Sequence, residues 1–253
     1  MTALLVDIGN SRLKWAWLTG RRLGKSHAAE YSGWRSRDYA RRVIGSRADV
    51  ERILVSSVAA DDITDALAAG ARLAGVPEPE RVTAQRRACG VTVAYIEPWR
   101  LGVDRLLGMI GAHRRFRGRP VCVVAVGTAL TIDLVGGDGR HRGGAIIPAP
   151  PLMVASLFDG TSGIRRRARG GASGKGRALF GRSTRVAVEQ GARFAAAAAV
   201  DRAVSEARAL VGRKPELVLT GGGASGLRPL IRSSSLLAPD LVLEGLAAWS
   251  VGV

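Results

Sequence analysis

The chain has 253 residues, with 38 lysines and arginines against 21 acidic residues and a formal net charge of +17. At 47% hydrophobic and 23% charged residues it can bury a sizeable core, which excludes a mainly disordered or fibrous chain. Two cysteines, Cys89 and Cys122, are too few for a disulfide framework, and their apolar surroundings suit small buried thiols in a reducing compartment.

In chain order, Ala3 to Asp7 is a short run of strand formers ended by Gly9-Asn10. Leu13 to Leu18 resumes the apolar character before Thr19-Gly20, so the start predicts a β-hairpin. Arg52 to Val58 reads as a strand, and 61–74 has helical spacing (Ile63, Ala66, Leu67, Ala71, Leu73). A helix is expected over 102–116, with Val103, Leu106, Leu107, Ile110 and His113 on one side. Three strands then follow over 121–126, 130–135 and 145–147. A long Ala-rich helix is predicted over 184–210, a strand over 216–220, a helix over 224–232, and a last strand over 241–244 before a short terminal helix.

The order of elements repeats, each half opening with closely spaced strands and then alternating helix and strand. That predicts an α/β chain of two similar domains, 1–118 and 119–253, with mixed sheets and a ligand cleft between them. There is no basic leader followed by a long apolar stretch. The run 120–135 is broken by Thr128, Thr131 and Asp133, so neither a signal peptide nor a membrane span is expected, and the reading is cytoplasmic.

The positive charge invites a nucleic-acid reading. Arginine supplies almost all of it and is spread evenly along the chain, as a compositional bias would leave it. A local exception is the acid-free, glycine-rich segment 161–183, with Arg165, Arg166, Arg167, Arg169, Lys175, Arg177 and Arg182. It reads as a mobile basic loop able to attract phosphates.

Three glycine turns could carry chemistry. Asp7-Ile8-Gly9-Asn10-Ser11-Arg12-Leu13-Lys14 sets a carboxylate at a strand end, small residues in the turn and a lysine after it. Such a turn suits phosphate and hydrated Mg²⁺, although it is also an ordinary hairpin corner. Val126-Gly127-Thr128-Ala129-Leu130-Thr131-Ile132-Asp133 repeats the pattern, and Leu219-Thr220-Gly221-Gly222-Gly223-Ala224 is a third strand-to-helix turn. Together, in this order, they resemble the nucleotide site of the acetate/sugar kinase, Hsp70 and actin superfamily, which implies two actin-like, ribonuclease H-like domains around a nucleotide cleft.

Gly102-Val103-Asp104-Arg105 resembles the Gly-x-Asp-Arg motif of type III pantothenate kinases. Tyr95, Gly143-Gly144-Ala145-Ile146-Ile147-Pro148 and Thr184 fall, in sequence, where that family has its tyrosine, its Gly-Gly-x-Ile-x-Pro-Gly turn and its substrate-facing threonine. The resemblance implies ATP-dependent phosphorylation of pantothenate to 4′-phosphopantothenate, the first step toward coenzyme A, by a homodimer. It assigns ATP phosphates to Asp7, Ile8, Gly9, Asn10, Ser11, Arg12, Leu13, Lys14 and Thr128, with Asp7 on Mg²⁺ through water. Pantothenate goes to Tyr95, Gly102, Val103, Asp104, Arg105 and Thr184, with Asp104 accepting the hydroxyl proton. Asp104 and Arg105 also fit a helix-end acid and a surface charge, and Thr184 fits an N-cap.

Two positions depart from the family pattern. Ala125 stands where many members have an aspartate that binds a monovalent cation, which weakens the expectation of K⁺ or NH₄⁺ dependence. Ala149 follows Pro148 where the family has glycine, so the turn there is expected to differ. A non-catalytic regulatory or DNA-associated factor on the same fold is the alternative. The sequence contains neither a helix-turn-helix signal nor an aromatic stacking platform, and no specific nucleic-acid partner is expected.

Overall fold

The computed structural model describes residues 2–47, 49–170, 176 and 178–252. In chain order the elements are β1 (Thr2–Ile8), β2 (Arg12–Thr19), β3 (Arg22–Leu23), β4 (His27–Glu30), α1 (Ser36–Tyr39), β5 (Arg52–Ser57), α2 (Asp61–Ala74), β6 (Pro79–Arg81), β7 (Arg87–Ala88), β8 (Val91–Thr92) and α3 (Val103–Arg115). They continue with β9 (Val121–Val126), β10 (Ala129–Val135), β11 (His141–Pro148), α4 (Pro150–Gly160), α5 (Ser162–Ala168), α6 (Thr184–Val211), β12 (Glu216–Thr220), α7 (Ala224–Leu227), β13 (Leu236–Leu237) and α8 (Leu241–Ser250). They form two compact units: Met1–Arg115 together with Asp240–Val253, and Phe116–Pro239.

The first unit is built on a sheet of order β3-β2-β1-β5-β6, with β4 added beside β2. β1 is antiparallel to β2 and parallel to β5. Ala3, Leu4, Leu5 and Val6 have no exposed surface, because both faces of this central strand are covered. Each buried aliphatic side chain of this kind contributes roughly 1.5–3 kcal/mol over its exposed state. Helix α2 buries Leu67 and Ala71 and ends at Gly75 in the left-handed conformation.

The terminal segment corrects two expectations. Residues 241–244 begin helix α8 rather than a strand, and 240–253 belong to the first unit rather than with 119–239. A four-residue apolar run does not by itself distinguish strand from helix. Tertiary packing decides here: a Cβ on Gly111 would come within 2.5 Å of the Leu241 carbonyl oxygen, and one on Gly245 would overlap the Leu107 carbonyl. The two glycines let α3 and α8 lie backbone against backbone.

The second unit repeats the plan, with sheet order β11-β10-β9-β12-β13. β9 is antiparallel to β10 and parallel to β12. Its core gathers Val124, Val126, Leu130, Leu217 and Leu219 against Ala196, Ala197 and Val200 of α6. The helix expected over 224–232 shortens to α7 and a 3-10 turn, Arg228–Leu230. Pro229, which lacks an amide hydrogen, breaks the α pattern there.

In the basic segment Ser162–Ala168 is helix α5, with Arg165 Nη2 donating to Asp159 at 2.5 Å and its Nε to the Phe158 carbonyl at 2.7 Å. Residues 171–175 and 177 of that expected loop lie outside the described residues. Cys122 is buried as expected. Cys89 is only half-buried, in the β7–β8 turn with φ +47°. No helix among the described residues is long and apolar enough to cross a membrane.

Candidate active site

In the first unit the candidate residues gather at the C-terminal end of β1. Asp7 is register partner to Lys14 on one side and Ser56 on the other. Desolvation, reinforced by the negative charge of Asp104, pushes the Asp7 carboxyl up to about 7. Lys14 pulls the other way, as does the Ser56 hydroxyl, which is buried and near Asp7 but not in well-formed hydrogen-bond geometry. Lys14 Nζ is also 3.2 Å from Asp240 Oδ1.

The turn after Asp7 is fixed at both ends. Gly9 N–H donates to the Arg12 carbonyl at 3.0 Å, and Tyr31 donates its phenolic hydrogen to the Gly9 carbonyl at 2.6 Å. Asn10, Ser11 and Arg12 are exposed, whereas Ile8 and Leu13 are core residues. Only the backbone of Ile8 and Leu13 is available to a ligand.

Asp104 lies in the first turn of α3, where the unpaired amides favour a carboxylate. Its Oδ1 accepts from the Arg105 amide at 2.8 Å. A Cβ on Gly102 would approach that same oxygen to 2.6 Å, so glycine leaves room for the carboxylate. Arg105 is not a surface charge: it is 7% exposed, its Nη1 donates to Tyr95 Oη at 2.9 Å, and Cζ lies 5.6 Å from the Tyr95 ring centroid. Val103 is buried beside them. Tyr95, Gly102, Asp104 and Arg105 therefore form one cluster, and Asp104 is close enough to Asp7 for the two charges to couple.

The second unit carries the other candidates. Thr128 is exposed at the β9–β10 turn, and its carbonyl accepts from Ala149 N–H at 3.2 Å. Gly221, at φ +87°, runs against Val126, where a Cβ would come within 2.5 Å of the carbonyl oxygen. Ala149 has φ −71° and is buried at the N-cap of α4, so alanine is unstrained at this departure from the family pattern. Thr184 is the first residue of α6, but capping falls to Ser183, whose hydroxyl accepts from Val186 N–H at 3.3 Å. Ala125 is register partner to Thr131 and Thr220, with no carboxylate of its own to offer a cation. Asp133, the acid beyond the turn, is directed inward and bonds His141 Nε2 at 3.1 Å.

Sequence reasoning missed Tyr31 and Ser56. The Ser-Ser pair ending an apolar strand is a signal that could have found Ser56. Nothing local marks Tyr31.

Among the described residues no group of three or more His, Cys, Asp or Glu could hold a metal ion. A Mg²⁺ that keeps most of its waters and binds substrate phosphates needs only one or two carboxylates, and Asp7 meets that requirement.

The chain matches the family model described as type III pantothenate kinase over residues 3–206. It is 34% identical over 252 residues to the type III pantothenate kinase of Nitrosococcus oceani, covering 96% of this chain and 92% of that protein. To that of Alkalilimnicola ehrlichii it is 38% identical over 246 residues, covering 96% of each. In fold it is similar to the activator of the 2-hydroxyisocaproyl-CoA dehydratase from Clostridium difficile, solved with bound ADPNP. There the identity is 12%, the TM-score 0.54, and the coverage 99% of this chain and 93% of that one.

Proposed function

The chain belongs to the type III pantothenate kinase family, and we propose that it transfers the γ-phosphoryl group of ATP to the primary hydroxyl of pantothenate. The observation that carries the site assignment is the cluster at the start of α3, where Asp104 and the buried Arg105 are both positioned, the latter against Tyr95. In this reading the pantothenate hydroxyl oxygen attacks the γ-phosphorus, the bond to the ADP oxygen breaks, and Asp104 accepts the hydroxyl proton. Phosphoryl transfer asks mainly for positioning and charge stabilisation, so one aligned carboxylate suffices as base. Arg105 pairs with the substrate carboxylate, as a planar guanidinium does well. Tyr95 belongs to the pantothenate site of this cluster, and Thr184, in the second unit, is a pantothenate residue by the family resemblance.

The turn 9–12, with Lys14, takes ATP phosphates; Thr128, in the second unit, is an ATP residue by the family resemblance. Asp7 would hold hydrated Mg²⁺, which would neutralise phosphate charge. A monovalent cation, if used, would rely on backbone oxygens and hydroxyls near Ala125. The chain acts in the cytoplasm as a homodimer: α4 buries none of its residues and leaves Leu152 and Leu157 45% and 40% exposed, which supports an apolar contact with a second copy. The alternative of a DNA-associated factor is not favoured, since the matching family model and the near-full-length relatives are type III pantothenate kinases.

ADP release coupled to a spectrophotometric readout, with pantothenate, Mg²⁺ and either K⁺ or NH₄⁺, tests the reading. Pantothenate-dependent turnover is expected. Folded, dimeric protein that gives none would overturn it.

A further inference from the structure

Arg86 lies outside every motif described above. It stands at the base of the β7–β8 hairpin, where its carbonyl accepts from Val93 N–H at 2.9 Å. Its guanidinium runs along the outgoing chain: Nη1 donates to the carbonyls of Val93 at 3.2 Å and Tyr95 at 2.5 Å, and Nη2 to that of Ile96 at 2.6 Å. Residues 93–96 belong to no strand or helix. No carboxylate among the described residues is ion-paired with Arg86.

The consequence reaches the cluster at α3. Tyr95 is the residue whose hydroxyl accepts from Arg105, and its backbone carbonyl is one of the three that Arg86 holds. The hairpin is stiff at its tip, with Cys89 and Gly90 at φ +47° and +82°, the positive pair a tight two-residue turn requires. Arginine suits the position because its planar fork can reach several acceptors at once, whereas a lysine ammonium at the end of its stem cannot reproduce that spread.

We propose that Arg86 is a positioning residue for the acceptor-substrate site. It clamps the irregular segment 93–96 and so sets Tyr95 against Arg105. The proposal rests on the reading of Tyr95 and Arg105 as pantothenate residues.

The test compares wild type, Arg86→Ala, Arg86→Lys, Tyr95→Ala and the Arg86→Ala/Tyr95→Ala double variant. Arg86→Ala should raise the KM for pantothenate on the order of tenfold, as loss of charge-assisted hydrogen bonds implies, with the KM for ATP and kcat nearly unchanged. Arg86→Lys should fall in between. In the Tyr95→Ala background, loss of Arg86 should add little, because both changes remove one device. Additive effects, an equal rise in the KM for ATP, or an unchanged pantothenate KM would overturn the clamp.

Hydrogen exchange over 93–96, measured without substrate, separates this failure from failure of the functional reading. Faster exchange in Arg86→Ala alongside a wild type inactive on pantothenate leaves the clamp standing and removes its assigned substrate. Unchanged exchange removes the clamp itself, and it remains readable in Arg86→Lys if the alanine variant does not fold.

Discussion

The Tyr31 hydroxyl donates to the Gly9 carbonyl at 2.6 Å, tying a residue beyond β4 to the exposed turn after β1. A peptide plane held by its carbonyl is also fixed at its other side, so the Asn10 N–H must point away from Tyr31. A tyrosine hydroxyl is protonated at neutral pH, and burial raises the Tyr31 pKa further above its ordinary value. Tyr31→Phe should therefore raise the KM for ATP by about threefold to tenfold and leave the pantothenate KM alone. A neutral hydrogen bond contributes about 0.5–1.5 kcal/mol, so a small drop in Tm should accompany it. An unaltered ATP KM would show that the turn holds its shape unaided.

Removing the proposed base should leave binding largely intact. Asp104→Asn should lower kcat by about 10²–10⁴-fold, the usual range for loss of a general base, with ATP affinity changed little. The remaining carboxamide still fits the space that Gly102 leaves. Near-normal turnover in this variant would move the base elsewhere.

The seam between α3 and α8 should tolerate no added methyl. Gly245→Ala would force α8 off the Leu107 carbonyl, and Gly111→Ala would do the same at Leu241. Overpacking of this kind costs about 1–3 kcal/mol. Denaturant unfolding should show the loss, and a midpoint equal to wild type in both variants would mean the helices separate freely.

Cation activation gives a directional prediction. With Ala125 between Thr131 and Thr220, any K⁺ or NH₄⁺ activation should need higher concentrations than in relatives with aspartate there. Ala125→Asp should lower the activation midpoint. Equal midpoints in a K⁺ titration of both proteins would show that residue 125 is irrelevant.

Cys122 links stability to alkaline pH. Burial, with Asp133 adding to it, pushes its pKa up from the ordinary thiol value to about 12. Above pH 9 the unfolded chain loses this proton while the folded chain keeps it, so the contribution present below that pH is lost progressively as pH rises toward 12. Cys122→Ala should flatten the fall in stability over this window. In the native protein Cys122 should react with a thiol reagent only on unfolding, whereas half-buried Cys89 reacts first.

Local sequence determined the elements whose signals are long or sharply bounded. The β1–β2 hairpin, α2 and the long helix α6 each carry apolar periodicity closed by a glycine or a polar turn, and they stand where the sequence places them. The three glycine turns and the Gly102–Arg105 motif were legible for the same reason, since turn chemistry is written in neighbouring residues. What lay beyond reach depends on partners distant in the chain. The run 241–244 becomes helix because α3 presents Gly111 to it. The site gains Ser56 and Tyr31 through β5 and β4, which only sheet register brings beside Asp7 and Gly9. Local sequence also allows Arg105 to be a surface charge, and only Tyr95, ten residues earlier and folded against it, decides that it is buried. A side chain's burial and its hydrogen-bond partner are properties of the packed structure, and no window of local sequence contains them.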